Sequence, residues 1–378
     1  MFRKDAMFAK IKNMDFVLLI IPILLTVVGI ALIYSLVFSG SGAELAIRQA
    51  IFFIVSLAVM FLISTLDYRV FSGSSWYLYI GAIILLIIVD VFGKTSGGAT
   101  RWIDFKIFQI QPSEFYKFVS VIFLSSFFAK KISRVKAFDI VYMFLMLLPP
   151  LFLILIQPDL GTTLVIVFSW FVVVIFSKLN LRQYITIFLS IILFLAIFTM
   201  SFYKIGPFTP LMKDYQRSRV ETFINPSSDP FGQGYNVQQA LIATGSGGMF
   251  GRGLGHGSQS QLQFLPKPET DFIFSGYSEA FGLIGNLLLL LAFLILVIRM
   301  IDIANLSKDS FGYLLSIGIA STFFFQIIVN IGMNIGLVPV TGIPLPFLSS
   351  GGSSLLTSFF MIGILQSIFI HRKKMLFK

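Results

Sequence analysis

Side chains that could do chemistry fall in four short segments of this sequence, each at the edge of a long apolar stretch. The first segment runs from Arg101-Trp102-Ile103-Asp104 to Gln111-Pro112-Ser113-Glu114 and Lys117. Pro112 suits the first turn of a helix. Glu114 and Lys117, three positions apart, would then share one helical face. This pair either neutralises itself and fixes helix packing, or forms the wall of a polar cavity near a membrane interface.

Asp159 is the acidic residue of the second segment, Gln157-Pro158-Asp159-Leu160-Gly161-Thr162. It stands directly before an apolar run, where an aspartate often caps a helix by accepting hydrogen bonds from backbone amides. The alternative is a carboxylate that faces the same cavity as Glu114. The sequence leaves both interpretations open.

The third segment is rich in glycine and runs from Gly245 to Gly257. Glycines let backbone amides approach a phosphate group closely. No Gly-Lys-Ser/Thr sequence follows, so the segment is not a nucleotide-binding P-loop. A tightly turned loop is the simpler interpretation.

Asp271 and Glu279 belong to the fourth segment, which runs from Phe264 to Phe274 and on into an apolar stretch. Thr270 is as good a helix cap as Asp271, which leaves the Asp271 carboxylate available for other work. Glu279 lies about two turns further along the predicted helix. A carboxylate at that depth needs a partner or a water-filled cavity. We therefore predict a functional role for Asp271.

Membrane spans must position these segments. Of the 378 residues, 57% are apolar and only 12% are charged, and Phe alone occurs 44 times. So few charges cannot cover a water-exposed surface, so most of the surface must face lipid. The chain has no cysteine and only two histidines, which excludes disulfides, thiolate metal sites and histidine-rich metal sites. The net charge of +11 comes from basic residues near the ends of apolar stretches, which favours membrane topology over nucleic-acid binding.

The apolar stretches predict an all-α polytopic membrane protein with ten spans, since a spanning helix needs about 20 mostly apolar residues. The predicted spans are 15–38, 47–66, 75–93, 112–129, 137–156, 161–178, 181–202, 271–299, 310–334 and 352–371.

Basic residues predict the orientation of these spans. Lys and Arg occur before the first span, after the fourth, sixth, eighth and tenth, and so predict that both chain ends are cytoplasmic. The loop 94–111 opposes this rule because it lies outside and yet carries Lys94, Arg101 and Lys106. Its charges are therefore expected to have a function.

The segment 203–270 is predicted to be a large extracytoplasmic loop within a single transmembrane domain that spans residues 1–378. Aromatic and apolar residues alternate with polar ones along it. A loop of this length is usually functional or disordered. We expect a folded cap with short amphipathic helices near 215–224 and 234–243.

Taken in order, these motifs resemble the SEDS family (shape, elongation, division and sporulation) over nearly the whole chain. Beyond the segments above, the resemblance is carried by Asn225-Pro226 with Asp229-Pro230, Gly245-Ser246-Gly247-Gly248, Thr270-Asp271-Phe272-Ile273-Phe274, Pro344-Leu345-Pro346-Phe347 and Ser349-Ser350-Gly351-Gly352-Ser353-Ser354. Gly257-Ser258-Gln259-Ser260-Gln261-Leu262 looks more like the RodA branch than the FtsW branch. Glu269 and Ala280 depart from the family, which usually has a histidine and a second acid there.

The resemblance implies a peptidoglycan glycosyltransferase of the bacterial inner membrane that polymerises lipid II into glycan strands during cell elongation and shape maintenance. The transfer would invert the anomeric carbon and release undecaprenyl pyrophosphate. Asp271 would be the catalytic base, and the arginines and lysines would bind pyrophosphate. The residues predicted to bind substrate are Arg101, Trp102, Glu114, Lys117, Asp159, Arg217, Arg219, Lys267, Glu279 and Ser353.

The resemblance also implies a partner, a class B penicillin-binding protein that supplies transpeptidation, together with other membrane proteins of the elongation complex. No nucleic acid is expected. A divalent cation, Mg²⁺ or Mn²⁺, could share the pyrophosphate, held by Asp159, Glu114 or Asp271, although no motif fixes a metal site.

Three alternatives remain. One is an FtsW-type division polymerase, the second a flippase or transporter of the lipid-linked precursor, and the third a scaffold that only positions the penicillin-binding protein. A transporter places its charges near the bilayer midplane on broken helices from repeated halves. Here the charges lie at the outer ends of the spans and no inverted repeat is visible. A scaffold would tolerate Asp271→Ala, whereas an enzyme would not.

Overall fold

The predicted spans are present as helices. The computed structural model describes residues 13–36, 42–96, 99–104, 109–131, 135–205, 207, 212, 214–230 and 232–372. In chain order the helices are α1 (Phe16–Leu36), α2 (Gly42–Thr65), α3 (Arg69–Gly73), α4 (Ser75–Phe92), α5 (Pro112–Ala129), α6 (Ala137–Ile156), α7 (Leu160–Phe176), α8 (Leu181–Phe202), α9 (Asp214–Ile224), α10 (Gln233–Ser246), α11 (Ser258–Gln261), α12 (Ile273–Leu306), α13 (Ser310–Asn334) and α14 (Gly352–Ile370). Ten of these described helices correspond to the ten predicted stretches, although α2 begins earlier and α12 continues further than predicted.

Eight of the described helices are long and apolar enough to cross a membrane. The other two of the ten are α7, which is shorter at 17 residues, and α5, which carries Glu114 and Lys117 and several serines. Helix α5 packs against α4, α7, α13 and α14, and most of its residues are buried. Its polar side chains therefore face protein and not lipid. The prediction of an all-α polytopic membrane protein is confirmed.

Helix α12 is broken at Gly282, which has a φ of 64° and a ψ of −163°. A left-handed φ is costly for residues with a side chain but not for glycine. The break frees backbone groups in the middle of a long apolar helix, where they need other partners. The apolar pattern of residues 271–299 predicts one unbroken span and does not reveal this break.

A small antiparallel sheet joins α4 to α5. Its strands are β1 (Lys94–Ser96), β2 (Ala99–Asp104) and β3 (Gln109–Ile110), in the order β1-β2-β3. Lys94 aligns with Trp102, and Ile103 with Ile110. The all-α prediction did not include this sheet, because strands this short carry too few alternating positions to be recognised.

The segment 203–270, predicted to be extracytoplasmic, contains the two helices expected of it. Helices α9 and α10 cover the predicted stretches near 215–224 and 234–243. Helix α10 packs against α12, and both α10 and α9 contact the short 3₁₀ turn Pro226–Ser228. The prediction of a folded cap is confirmed, while the domain boundaries of 1–378 and 203–270 stay a prediction.

The start of α1 and the end of α14 meet at one end of the bundle. The backbone amide of Asp15 donates to Gln366 Oε1 at 2.8 Å, and Gln366 Nε2 donates back to the Asp15 carbonyl at 2.8 Å. Arg299 near the end of α12 donates to the Asp15 carboxylate from Nη2 at 2.6 Å. We call this the terminal end; the basic residues before 13 and after 372 lie outside the described residues.

The opposite end, called the loop end below, carries β1–β3, the turn from Gln157 to Leu160, the cap helices α9 and α10, and the segment 335–351. Hydrogen bonds join these parts. Gln111 N donates to Ser353 Oγ at 3.0 Å, and Ser350 N donates to the Glu269 carbonyl at 2.7 Å. The four predicted segments therefore gather at one end of the bundle.

Candidate functional site

Asp271 lies in the turn just before α12, at the loop end. The cap position of α12 is Phe272, and Asp271 is not used as a helix cap. Among the described residues none donates a hydrogen bond to its carboxylate, although the side chain is partly buried. Burial raises the pKa of Asp271 above its ordinary value, and the nearby charges of Lys267, Arg219 and Arg101 oppose that rise. The carboxylate is thus a proton acceptor with little competition from protein donors.

The turn that carries Asp271 is fastened to the segment before α14. Ser349 Oγ donates to the Thr270 carbonyl at 2.8 Å and accepts from Leu345 N at 2.8 Å. Ser350 N reaches the neighbouring Glu269 carbonyl. These contacts explain why the serine-rich motif before α14 and the motif around Asp271, 80 positions apart in the chain, belong to one site.

Arg219 on α9 lies within electrostatic reach of Asp271. Its Nη1 donates to the Thr341 carbonyl at 3.2 Å. Burial lowers the pKa of Arg219, and the neighbouring Arg101 lowers it further, while Asp271 and Asp159 act in the opposite direction. Charges that the sequence placed in three separate segments therefore interact at one place. Two guanidinium groups held near each other make a site that favours an anion such as phosphate.

Arg101 on β2 is oriented by the turn between α6 and α7. Its Nε donates to the Gln157 carbonyl at 2.6 Å, and its Nη2 donates to the Pro158 carbonyl. Trp102 is the next residue of the same strand and is partly buried. The expectation that the basic charges of loop 94–111 have a function is consistent with Arg101, whereas Lys106 lies outside the described residues.

Lys267 completes the basic side of this group. It is exposed, and its φ of 46° places it in the left-handed region. The backbone amide of Thr270 donates to its carbonyl at 3.2 Å, which closes the turn before Asp271. Arg101, Arg219 and Lys267 are therefore the predicted cations that the structure brings to Asp271.

Asp159 combines the two roles that the sequence left open. As a cap of α7 it accepts from Thr162 N at 3.1 Å. Its other carboxylate oxygen accepts from Gln111 Nε2 at 3.0 Å and from Ser113 Oγ at 3.1 Å. The carboxylate thus ties the start of α7 to the start of α5 and also lies within electrostatic reach of Arg219.

Glu114 and Lys117 form the ion pair that their spacing predicted. Lys117 Nζ lies 2.8 Å from Glu114 Oε1, and each side chain is at most 4% exposed. The second carboxylate oxygen of Glu114 is buried without a hydrogen-bond partner among the described residues. This geometry fits the interpretation as a self-neutralising pair inside the bundle better than direct contact with a large substrate.

Arg217 is held by α8 and not by the Asp271 group. Its Nη2 donates to the Ser201 carbonyl at 2.9 Å, its Nε donates to the Phe202 carbonyl at 3.2 Å, and its Nη1 lies 3.4 Å from Asp214. All three guanidinium nitrogens therefore have protein partners. These contacts hold Arg217 against the end of α8. Its predicted role in binding pyrophosphate stays a prediction.

The carboxylate of Glu279 accepts hydrogen bonds from residues that follow the glycine-rich segment. It accepts from Gln259 N at 2.9 Å, from Ser260 N at 3.1 Å and from Ser260 Oγ at 2.8 Å. The residue is only 1% exposed. The partner that a carboxylate at this depth needs is thus the protein's own loop, and the predicted contact of Glu279 with substrate stays a prediction.

The glycine-rich segment fills the break in α12. Arg252 N donates to the Glu279 carbonyl at 2.9 Å, and Leu283 N donates to the Gly248 carbonyl at 2.9 Å. A Cβ at Gly247 would lie 2.0 Å from the Ser278 carbonyl oxygen, and one at Gly251 would lie 2.2 Å from that of Ala280. The glycines thus permit backbone to meet backbone, which favours the tightly turned loop over a phosphate cradle.

Ser353 links two secondary-structure elements by hydrogen bonds. It accepts from Gln111 N at 3.0 Å and donates to the Gln109 carbonyl at 3.2 Å, so it joins the start of α14 to the end of β3. Its hydroxyl proton and one of its two acceptor lone pairs are used, and the side chain is buried. Ser353 therefore shapes the site, and its predicted contact with substrate stays a prediction.

A cavity adjoins the Asp271 group on the cap side. Arg219 forms part of its wall, together with the apolar side chains of Phe223, Leu241 and Val338 and the amide of Gln233. Within the described residues no three His, Asp or Glu side chains come together in a way that could hold a metal ion. Glu114 and Asp159 are already engaged by Lys117 and by three donors, so these residues do not fit a divalent cation shared with Asp271.

Asn330 and Asn334 on α13 also contact this site, although neither is among the residues predicted for it from the sequence. Both are fully buried and both reach the backbone of Asp271. The signal was present, because two carboxamides four positions apart in an apolar span share one face and are costly unless they are paired.

Comparison with known proteins agrees with this arrangement. The family model for FtsW, RodA and SpoVE, described as cell cycle protein, matches residues 12–374. The peptidoglycan glycosyltransferase MrdB of Escherichia coli is 37% identical over 356 residues, which cover 93% of this chain and 94% of that protein. The solved Rod shape determining protein RodA of Thermus thermophilus is 26% identical, with a TM-score of 0.69 over 96% of this chain and 98% of that one. A chain from a solved peptidoglycan synthase complex that coordinates polymerization and crosslinking is 28% identical, with a TM-score of 0.78 over 94% of this chain and 97% of that one.

Proposed function

This chain belongs to the FtsW/RodA/SpoVE family of cell cycle proteins, and we propose that it is a peptidoglycan glycosyltransferase that polymerises lipid II into glycan strands. The observation that carries the proposal is the Asp271 carboxylate. Of the four acidic residues predicted for the site, Glu114, Asp159 and Glu279 are engaged by protein donors. Among the described residues Asp271 alone of these four has no donor on its carboxylate, and it stands beside Arg101, Arg219 and Lys267.

Asp271 acts as the general base. The acceptor sugar's 4-hydroxyl attacks the anomeric carbon of the lipid-linked donor, and its proton passes to the Asp271 carboxylate. A carbon–oxygen bond forms at the anomeric carbon while the bond from that carbon to the pyrophosphate oxygen breaks, so the configuration is inverted. Burial favours this role, because it brings the pKa of the carboxyl closer to the pH at which the enzyme works.

The cations stabilise the departing undecaprenyl pyrophosphate. Negative charge builds up on the pyrophosphate as its bond to the sugar breaks, and preorganised guanidinium groups lower the energy of that state. Arg101 and Arg219 are held by backbone carbonyls before any substrate arrives. Lys267 is exposed and supplies a further positive charge. The predicted requirement for Mg²⁺ or Mn²⁺ stays a prediction, which glycan synthesis with and without a chelator tests.

The polyprenyl tails reach the site from the lipid phase beside α8. Only 6% of the most apolar 18 residues of α8 are buried in the protein, so the helix stands largely apart from the bundle. The basic residues at the terminal end support a cytoplasmic location for that end, in the bacterial inner membrane, with the Asp271 group on the outer side.

A class B penicillin-binding protein is the proposed partner during elongation. The likeness to a chain from a peptidoglycan synthase complex supports such a partner. The RodA-like motifs of the sequence favour elongation over division as the process served.

The deciding experiment is polymerisation of purified lipid II by the wild-type chain and by Asp271→Asn, with and without the penicillin-binding protein. We expect long strands from the wild type and none from the variant. Asp302→Asn, at the terminal end, is the matched control and should polymerise like the wild type. If Asp271→Asn makes strands at the wild-type rate, Asp271 is not the base. If the wild type makes none with its partner present, the polymerase proposal fails.

One feature favours a second function, translocation of the lipid-linked precursor. Broken helices occur in transporters, and α12 is broken at Gly282. In transporters the freed backbone groups bind the cargo, whereas here the glycine-rich segment pairs with them. Lipid II translocation in proteoliposomes would detect this activity in a chain that fails to polymerise.

A further inference from the structure

Two asparagines of α13 hold the backbone of Asp271. Asn334 Nδ2 donates to the Asp271 carbonyl at 3.0 Å, and Asn330 Nδ2 donates to the same oxygen at 3.2 Å. Both side chains have no measurable exposure. The Asp271 carbonyl oxygen therefore accepts two hydrogen bonds from buried carboxamides, and the two bonds hold it from two directions.

Both amides are themselves fixed by further contacts. Asn334 Oδ1 accepts from Ser275 N at 3.1 Å and from Ser275 Oγ at 2.7 Å. Because a backbone amide can only donate, this contact sets which side of the carboxamide is oxygen and turns Nδ2 toward Asp271. Asn330 Nδ2 also donates to the Ile343 carbonyl at 2.8 Å. The pair thus links α13, the first turn of α12 and the segment before α14.

The simplest explanation is that these amides only bind helices together, as polar groups do in membranes. The atom they bind argues for more. The Asp271 carboxylate receives no hydrogen bond from the described residues, whereas the backbone carbonyl that carries it receives two. The two asparagines hold that backbone outside the helix, in the turn before Ile273.

We infer that Asn330 and Asn334 are positioning residues for Asp271, which keep its carboxylate at the distance from the acceptor hydroxyl that proton transfer requires. This inference rests on the proposed role of Asp271 as the base. Displacement of a catalytic group by about 1 Å can lower a rate about 100-fold. The effect is expected on kcat, because both asparagines are buried and act through the backbone of Asp271.

The test uses Asn330→Leu, Asn334→Leu and the double variant. Asn330→Leu removes only donors, since the Asn330 carboxamide oxygen has no partner among the described residues. Gln326→Leu is the matched control. Gln326 lies one turn from Asn330 on the same face of α13, is also buried, and has a carboxamide oxygen without a partner among the described residues. We expect kcat to fall about 10-fold in each single variant and about 100-fold in the double variant, with KM unchanged. The control should stay within about twofold of the wild type.

The pH profile separates positioning from simple loss of folded protein. A displaced Asp271 meets more water, which lowers its raised pKa, so the acid limb of kcat/KM should move to lower pH in the asparagine variants. Its neighbours Lys267, Glu269, Arg219 and Arg101 are unchanged in these variants and contribute equally to every profile. Loss of folded protein lowers the amplitude and leaves the limb where it was.

A lower kcat with a shifted acid limb supports the inference. Folded variants with wild-type kcat and an unshifted limb overturn it and leave the polymerase proposal intact. Wild-type activity of Asp271→Asn would instead overturn the role of Asp271 itself. If Asn334→Leu does not fold, Asn330→Leu decides by the same two measurements, because it leaves the Ser275 contact in place.

Discussion

Helices α13 and α8 are both long apolar helices, yet their surroundings are opposite. Among the most apolar 18 residues of each, 83% are buried in α13 and 6% in α8. The mean hydropathy runs the other way, at 1.9 for α13 and 2.5 for α8. In a membrane protein the more apolar helix is the one that lipid surrounds, because lipid cannot satisfy polar side chains. The less apolar helix lies inside, where its Asn and Ser side chains find partners.

This contrast predicts where the chain tolerates a lost charge. In the buried region, Lys117→Met leaves Glu114 without its partner, and we expect the free energy of unfolding to fall by about 3–5 kcal/mol. The double variant Glu114→Gln/Lys117→Met should recover most of that loss. Arg182→Met at the exposed start of α8 is the control and should change it by less than about 0.5 kcal/mol. Denaturant unfolding in mixed micelles measures all three.

The same substitution in both helices sharpens the comparison. Leu314 on α13 is fully buried, whereas Leu193 on α8 is 61% exposed. Leu314→Ala opens a cavity and should cost about 2–5 kcal/mol. Leu193→Ala removes a side chain that meets lipid in both states and should cost less than about 0.5 kcal/mol. Equal losses in the two variants would mean that α8 packs against the bundle after all.

A smaller loss of stability is expected from an added methyl group at Gly318, where α13 packs against α5 and α7. A Cβ at Gly318 would lie 2.4 Å from Val121 Cγ1 and 2.8 Å from Val173 Cγ2. Gly318→Ala should therefore lower the free energy of unfolding by about 1–3 kcal/mol through overpacking. Gly81→Ala on α4 has nothing within 4 Å and should stabilise by about 0.5–1 kcal/mol, because alanine suits a helix better. A Gly318→Ala variant as stable as wild type would show that the valines can yield.

The smallest expected effect is on stability at the site itself. Burial raises the pKa of Asp271, so its charged form is less favourable in the folded state than in the unfolded chain. The stability contributed by the neutral carboxyl is present below the unfolded pKa of about 3.9 and is lost as the pH rises through the folded pKa. At pH 7, Asp271→Asn should therefore be at least as stable as the wild type. Melting curves at pH 7 and in acid test this, and a variant that melts lower at pH 7 contradicts it.

The helical spans could be predicted because each depends on local composition. Stretches such as 137–156 and 310–334 were placed to the residue, since charged or turn-forming residues mark both ends. The break of α12 could not be predicted in this way. Gly282 is one of many glycines in the sequence, and only its contact with a segment 30 residues earlier reveals why it is unwound.

Arg217 and Arg219 show how far site residues can be predicted from the sequence. The sequence treats them alike, as two arginines on one predicted helix. Residues two apart on a helix do not share a face, and the structure puts Arg219 against Thr341 near Asp271 and Arg217 against the end of α8. Helical geometry alone could have separated the pair, but only the fold shows which face meets the site.

The glycine-rich segment also constrains how this protein can vary. At Gly247, Gly251 and Gly282 an added methyl group would strike main-chain atoms at 2.0, 2.2 and 2.3 Å. Clashes between side chains can be relieved by a smaller residue opposite, but main-chain atoms are the same whatever residue carries them. No second substitution can therefore compensate for a first at these three positions. They should tolerate no replacement in any genetic background, while the side chains around them remain free to change together.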